Sequence, residues 1–382
     1  MIFCGCGSGR LARACCARLK VPPELVKELI SVERKDAERQ RSYGYGRPII
    51  AEQMGPTRFV AVGNQIHWSE RWKTFHDFLA SYIKSAMGDD WGDKELTKPF
   101  SDQHPVVQWY RHVCEHQKAT IKNPGEVSEA IATAPVMAYL SLSYDIYSLQ
   151  HHGLLQELLL KRLRHKDQFQ GARYEIFVAA SFVRAGFLVE LEDESDSTQT
   201  HCEFSAKHTA TGRWCSVEAK SRRRPGFLGH RGEPQSPDEI SADVYRLLQS
   251  ALKKKAKHPR VVFVDVNMPP RAEKLFEGGW GSAVAAQLKR LEDTQRLADP
   301  WPPAIIVFTN HPYHYVDAST PAPTPTILVT GMNLAEFMNL PGINDNERLA
   351  QMKKEFPHVA ALTDSLFHHT DIPSSFSSPE DS

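Results

Sequence analysis

The sequence has no excess of either charge. Its 46 Lys and Arg balance 46 Asp and Glu, for a formal net charge of zero. That excludes a chain-wide attraction to nucleic acid or to anionic surfaces, so any such contact has to be a local patch. No apolar run reaches the ~18 residues needed to span a bilayer. The opening Met-Ile-Phe-Cys-Gly-Cys lacks the basic and apolar regions of a secretory signal. The expectation is therefore a cytoplasmic protein with no membrane partner. No internal repeat is apparent. Apolar content of 41% and charged content of 24% are ordinary for a globular protein, and 382 residues suffice for two or three domains.

Cysteine is sparse, seven in all, and is expected to be reduced in a cytoplasmic protein, with clustered thiols binding metal rather than forming disulfides. Four of the seven, Cys4, Cys6, Cys15 and Cys16, fall within thirteen residues. Two close pairs of thiolates suit the tetrahedral preference of zinc. Gly7 and Gly9 permit a tight turn after the first pair, and Arg10 and Arg13 offset the charge of a tetrathiolate centre. Four protein ligands leave no open position, so such a zinc is structural.

Along the chain, Val21-Pro-Pro opens an amphipathic stretch over 24–40. A short hairpin is expected with Gly63-Asn64 at its turn, then a helix capped by Ser69 and broken at Gly88-Asp-Asp-Trp-Gly. Helical patterns resume over 104–117 and 126–164. Their aromatics (Trp109, Tyr110, Tyr139, Tyr144, Tyr147) read as core, and His151 and His152 as a solvated helix end. From Gln168 onward, helices alternate with apolar strands: helix 170–185 ended by Gly186, strands 187–191, 201–207 and 214–220, helix 236–255, strand 260–266, helix 280–291, and strands 304–309 and 326–330. The Ser- and Pro-rich tail from Asp371 reads as disordered.

The stretch from 200 to 221 concentrates the polar chemistry. Side chains alternate across a strand, so Ser216, Glu218 and Lys220 share one face while Cys215, Val217 and Ala219 pack behind. Glu203 lies on the preceding strand and Glu175 on the helix before it. Arg222, Arg223 and Arg224 follow the motif directly, and Lys253 and Lys254 end the next helix. These five are the candidate phosphate contacts. His201 and His208, flanking the Glu203 strand, read as surface residues.

Cys-Gly-Ser-Gly at 6–9, followed by Cys15-Cys16, resembles the SEC-C zinc motif. Glu218-Ala219-Lys220 is a complete (D/E)XK, and Cys202-Glu203-Phe204 stands where that motif's family has Pro-Asp and a hydrophobic residue. With the order helix, strand, strand, strand, helix, strand, the second half of the chain resembles the PD-(D/E)XK nuclease superfamily. The resemblance implies an α/β fold with a mixed sheet, a restriction-endonuclease-like core with helices on both faces. The expected organisation is a zinc motif at 1–20, a mainly helical domain at 21–165, the nuclease-like domain at 166–345, and a helical end and tail at 346–382. It further implies Mg²⁺ or Mn²⁺ held by Glu203 and Glu218, with Glu175 as an outer ligand and Lys220 activating water, and hydrolysis of phosphodiester bonds in nucleic acid, DNA first. The rival reading is a non-catalytic adaptor that binds nucleic acid or protein and docks a partner through its zinc motif.

Overall fold

The structure, a computed structural model, describes residues 46–123, 125–191, 202–271, 275–277, 279–295, 299–334 and 353–376. The zinc motif and the amphipathic stretch 24–40 lie outside the described residues. A three-stranded antiparallel sheet comes first, β1 (Ile50–Met54), β2 (Thr57–Val62) and β3 (Gln65–Ser69). Two-residue turns join its strands, each with a glycine at positive φ, Gly55 and Gly63. A Cβ on Gly63 would lie 2.7 Å from the Gln150 carbonyl oxygen, so the turn also demands glycine for space. Five helices follow, α1 (Phe75–Met87), α2 (Asp89–Leu96), α3 (Pro105–Thr120), α4 (Ala134–His151) and α5 (Glu157–Arg164).

The second half begins with α6 (Lys166–Arg184) and builds a six-stranded mixed sheet in sequence order, β4 (Phe187–Leu191), β5 (Phe204–His208), β6 (Trp214–Ser221), β7 (Arg260–Asp265), β8 (Ala304–Asn310) and β9 (Thr326–Met332). The central strands β6, β7 and β8 run parallel and the flanking pairs are antiparallel. Helices α7 (Tyr245–Leu252) and α8 (Trp280–Asp293) make the two crossovers, and α9 (Pro357–Phe367) closes the described fold. Strands β7 and β8 are apolar on both faces, as strands between helical layers must be. Val261 and Phe263 join one buried cluster with α6, whereas Val262 and Val264 join a second with α7 and α8. The first cluster also takes in Phe75, Phe78 and Tyr139, so the core is continuous across residue 165, where a domain boundary was expected. Among the described residues no helix is long and apolar enough to cross a membrane.

Several elements differ from the sequence expectation for identifiable reasons. The cap of α1 is Thr74, not Ser69. Thr74 Oγ1 accepts from Asp77 N, and the Asp77 carboxylate accepts from Thr74 N at 2.9 Å, a reciprocal capping box. Thr74→Ala should cost about 1 kcal/mol of stability, read as a lowered denaturant midpoint. Gly88 ends α1 at φ +92°, but the acidic residues after it start α2 rather than a loop. Residues 126–133 are not helical, and helix 236–255 reduces to a 3₁₀ turn at Pro237–Glu239 followed by the shorter α7. His151 is buried rather than solvated: Nε2 bonds the Pro48 carbonyl at 3.1 Å and Nδ1 accepts from Gly63 N at 3.4 Å. His208 is buried too, with Nδ1 2.9 Å from Thr211 Oγ1.

The described part of the tail, residues 371–376, packs on the core. Phe75 N donates to the Ser374 carbonyl at 2.9 Å, and the Phe376 ring packs edge-on against Phe75 and Phe78, with the Arg58 guanidinium over its face. Just upstream, a buried polar triad ties three elements together. Asp145 of α4 accepts from Arg184 Nη2 of α6 at 3.1 Å and from His369 Nε2, after α9, at 2.9 Å. Burial depresses the pKa of His369, against the pull of Asp145.

Candidate active site

The site grows from the pleat of β6. Cys215, Val217 and Ala219 enter the cluster under α6, which turns Trp214, Ser216, Glu218 and Lys220 to the opposite face. Strand β5 pairs antiparallel with β6, Lys207 opposite Trp214, Ser205 opposite Ser216 and Phe204 opposite Val217. One step further along that register sets Glu203 opposite Glu218, and Glu203 N donates to the Val217 carbonyl at 2.9 Å. On the other side β7 places Arg260, Val262 and Val264 beside Ser216, Glu218 and Lys220.

The two carboxylates and the amine meet. Lys220 Nζ is in ion-pair contact with Glu218 Oε1 and lies 3.9 Å from Glu203 Oε1, and Lys254 Nζ approaches Glu218 to 3.8 Å. Glu218 is 1% exposed. Apart from these ion pairs, neither of its carboxylate oxygens has a hydrogen-bond partner. Burial raises the Glu218 carboxyl above its ordinary range, against the pull of Lys220 and Lys254. Burial does the same to Glu203, with the Glu218 charge adding to the rise. Burial opposes the charge on Lys220, but Glu218, Glu203 and Glu175 outweigh it and its pKa is raised. Two carboxyls pushed upward around a held ammonium is the electrostatic signature of a cation-poor acidic pocket.

Glu175 belongs to this group but not as a bare ligand. Both of its oxygens are gripped by the Arg162 guanidinium of α5, at 2.7 and 2.6 Å. Nothing in sequence spacing marked Arg162, because the pairing depends on how α5 turns into α6. Among the described residues, no group of three or more His, Cys, Asp or Glu side chains is gathered as a metal cage. The donor set present is two carboxylates, Glu203 and Glu218, the latter buried and paired with Lys220 and Lys254. That set fits Mg²⁺, which takes one or two carboxylates and keeps several waters.

The expected phosphate contacts divide. Lys254 stands at the carboxylates. Lys253 and Arg223 are exposed, and Arg223 lies alongside α6 near Gly171. Arg222 is partly buried, with Nη2 3.5 Å from Asp243 Oδ2. Arg224 is a correction: it is 4% exposed, and its guanidinium donates to the carbonyls of Asn267, Ser241 and Val266. It stitches the segment after β6 to the segment after β7 and is buried away from the surface a phosphate would approach. No family model, no curated protein and no solved structure matches this chain.

Proposed function

We propose that the chain is a metal-dependent nuclease whose second half is a PD-(D/E)XK, restriction-endonuclease-like domain. One observation carries the reading: Glu203 and Glu218 from adjacent strands converge on the Lys220 ammonium, with the Glu175–Arg162 pair beside them. Glu203 and Glu218 would hold Mg²⁺ or Mn²⁺. When bound, the ion polarises a phosphoryl oxygen and acidifies water for attack. Lys220 keeps its proton because the carboxylates raise its pKa. Its charge is therefore available to offset the negative charge that grows on the phosphate in the transition state. Lys254 adds a second cation on the same side of the carboxylates, and the exposed Arg223 supplies a sequence-independent phosphate contact. A zinc centre at Cys4, Cys6, Cys15 and Cys16 completes the reading as a docking element.

The adaptor reading has one observation in its favour, since the Lys220 ammonium occupies the space a cation would take. A single assay separates the two. Supercoiled plasmid and single-stranded DNA are incubated with Mg²⁺ or Mn²⁺, comparing wild type with Lys220→Ala and Glu203→Ala. Cleavage by the wild type and a loss on the order of a hundredfold in Lys220→Ala are expected, the scale of removing one charge-stabilising group. Binding without metal-dependent cleavage would establish the adaptor instead.

A further inference from the structure

We infer that Trp214, with His258 and Lys207, forms a stacking site for an unpaired nucleobase, and that the substrate enters the active site as a single strand. The inference deepens the nuclease reading and rests on it for the position of the cleaved bond. The indole of Trp214 is stacked on the imidazole of His258, with ring centroids 5.0 Å apart and planes 21° from parallel. The Lys207 ammonium lies over the Trp214 ring, 5.6 Å from its centroid. All three groups are partly exposed, and Lys253, Lys255 and Lys257 are exposed in the same segment as His258. In a chain without net charge this is a local cationic patch around an aromatic ring, the composition that binds single strands.

Its position relative to the carboxylates is what gives it a role. Trp214, Ser216, Glu218 and Lys220 are on one face of one strand, and Lys207 sits directly across from Trp214 as Glu203 does from Glu218. One strand face therefore joins the partly exposed aromatic ring to the buried carboxylate, with the buried Ser216 between them. Glu218 lies four residue steps from Trp214 along the strand, about 13 Å at ~3.3 Å per step. That span matches roughly four stacked nucleotides at ~3.4 Å each. Ser216 continues that face: its Oγ accepts from the backbone N of His258 at 3.1 Å, which ties the His258 main chain to the strand.

The choice of a single strand follows from two constraints. Bases inside a duplex are already stacked and cannot reach an aromatic ring on the protein surface without being extruded. Glu218 is buried in the sheet face, so a lone flexible strand reaches it more readily than a rigid duplex. Lys207 is on a flexible stem. A base can take its place over the indole while the ammonium moves to a phosphate.

The test measures binding in EDTA, so that it does not depend on catalysis. A 5′-fluorescent twelve-nucleotide oligodeoxythymidylate and a blunt duplex of mixed sequence and equal length are titrated with wild type, Trp214→Ala, Trp214→Phe and His258→Ala. Wild type should bind the single strand at least tenfold more tightly than the duplex. Trp214→Ala should weaken single-strand binding by roughly five- to a hundredfold, the range for loss of one base stack. Trp214→Phe should keep most of the affinity, and His258→Ala should lose part of it. Equal binding by wild type and Trp214→Ala, or duplex bound as tightly as the single strand, overturns the inference. A wild type that binds single strands through Trp214 but never cleaves them refutes the nuclease reading and leaves the stacking site standing. Cleavage that persists unchanged in Trp214→Ala does the reverse.

Discussion

Glu218→Gln should reduce metal-dependent cleavage on the order of a thousandfold, about 4 kcal/mol of transition-state stabilisation, and erase the thermal stabilisation that Mg²⁺ gives the wild type. Gln keeps the shape of the side chain but removes the buried negative charge that a hard cation requires. The second readout follows from linkage. The Glu218 and Glu203 carboxyls are raised above the usual value of 4.5 chiefly by burial, with the Glu175 charge adding to the rise of Glu218 and the Glu218 charge to that of Glu203. A carboxyl with a raised folded pKa contributes stability below the unfolded value and loses it as pH climbs through the folded value. Lys220 stays protonated through that window, because its own pKa is raised. The metal-free protein should therefore lose stability as pH rises above about 4.5, and Mg²⁺, which binds the ionised carboxylates, should restore it. At a hundredfold excess over Kd the recovery is about 2.7 kcal/mol. Scanning fluorimetry across pH, with and without Mg²⁺, should show this in wild type and not in Glu218→Gln. Cleavage within tenfold of wild type, or an undiminished Mg²⁺ shift, would remove Glu218 from the site.

Asp145→Ala should destabilise the fold by roughly 3–5 kcal/mol, because it strands a buried guanidinium without its carboxylate. Asp145 accepts from both Arg184 and His369, and all three residues are buried. Removing the whole group should cost much less than breaking it. The double variant Asp145→Leu with Arg184→Met exchanges the ion pair for apolar volume and should recover most of the loss. Urea denaturation of the single and double variants gives the comparison. A single variant within 1 kcal/mol of wild type would show that the triad carries little of the stability.

The parts of the fold set by local pattern were legible in the sequence. The Gly63-Asn64 turn, the strands at 187–191 and 260–265, and the helix beginning at Trp280 all lie where periodicity and turn residues put them. The face of β6 that carries Glu218 and Lys220 was legible for the same reason, since alternation on a strand needs no tertiary information. What stayed hidden depends on distant partners. His151 looks like an exposed helix end until the Gly63 turn is folded onto it. Arg224 is one of three consecutive arginines, and only the carbonyls of Ser241, Val266 and Asn267 distinguish it from a surface residue. The grip of Arg162 on Glu175 likewise has no sequence counterpart. β1 was overlooked because its strand is mostly exposed and shows no apolar alternation, although Gly55-Pro56 is a turn signal of the same kind as Gly63-Asn64.

The seat of Phe376 between Phe75 and Phe78 has a consequence for how the chain is made. Synthesis delivers Phe75 301 positions before Phe376. The aromatic cluster under the first sheet therefore cannot close until residue 376 has been made. A nascent chain carries the whole of Glu203, Glu218 and Lys220 well before its scaffold is finished. Closure of the aromatic cluster by Phe376 is thus a contact of very high sequence separation, the kind that forms late in folding.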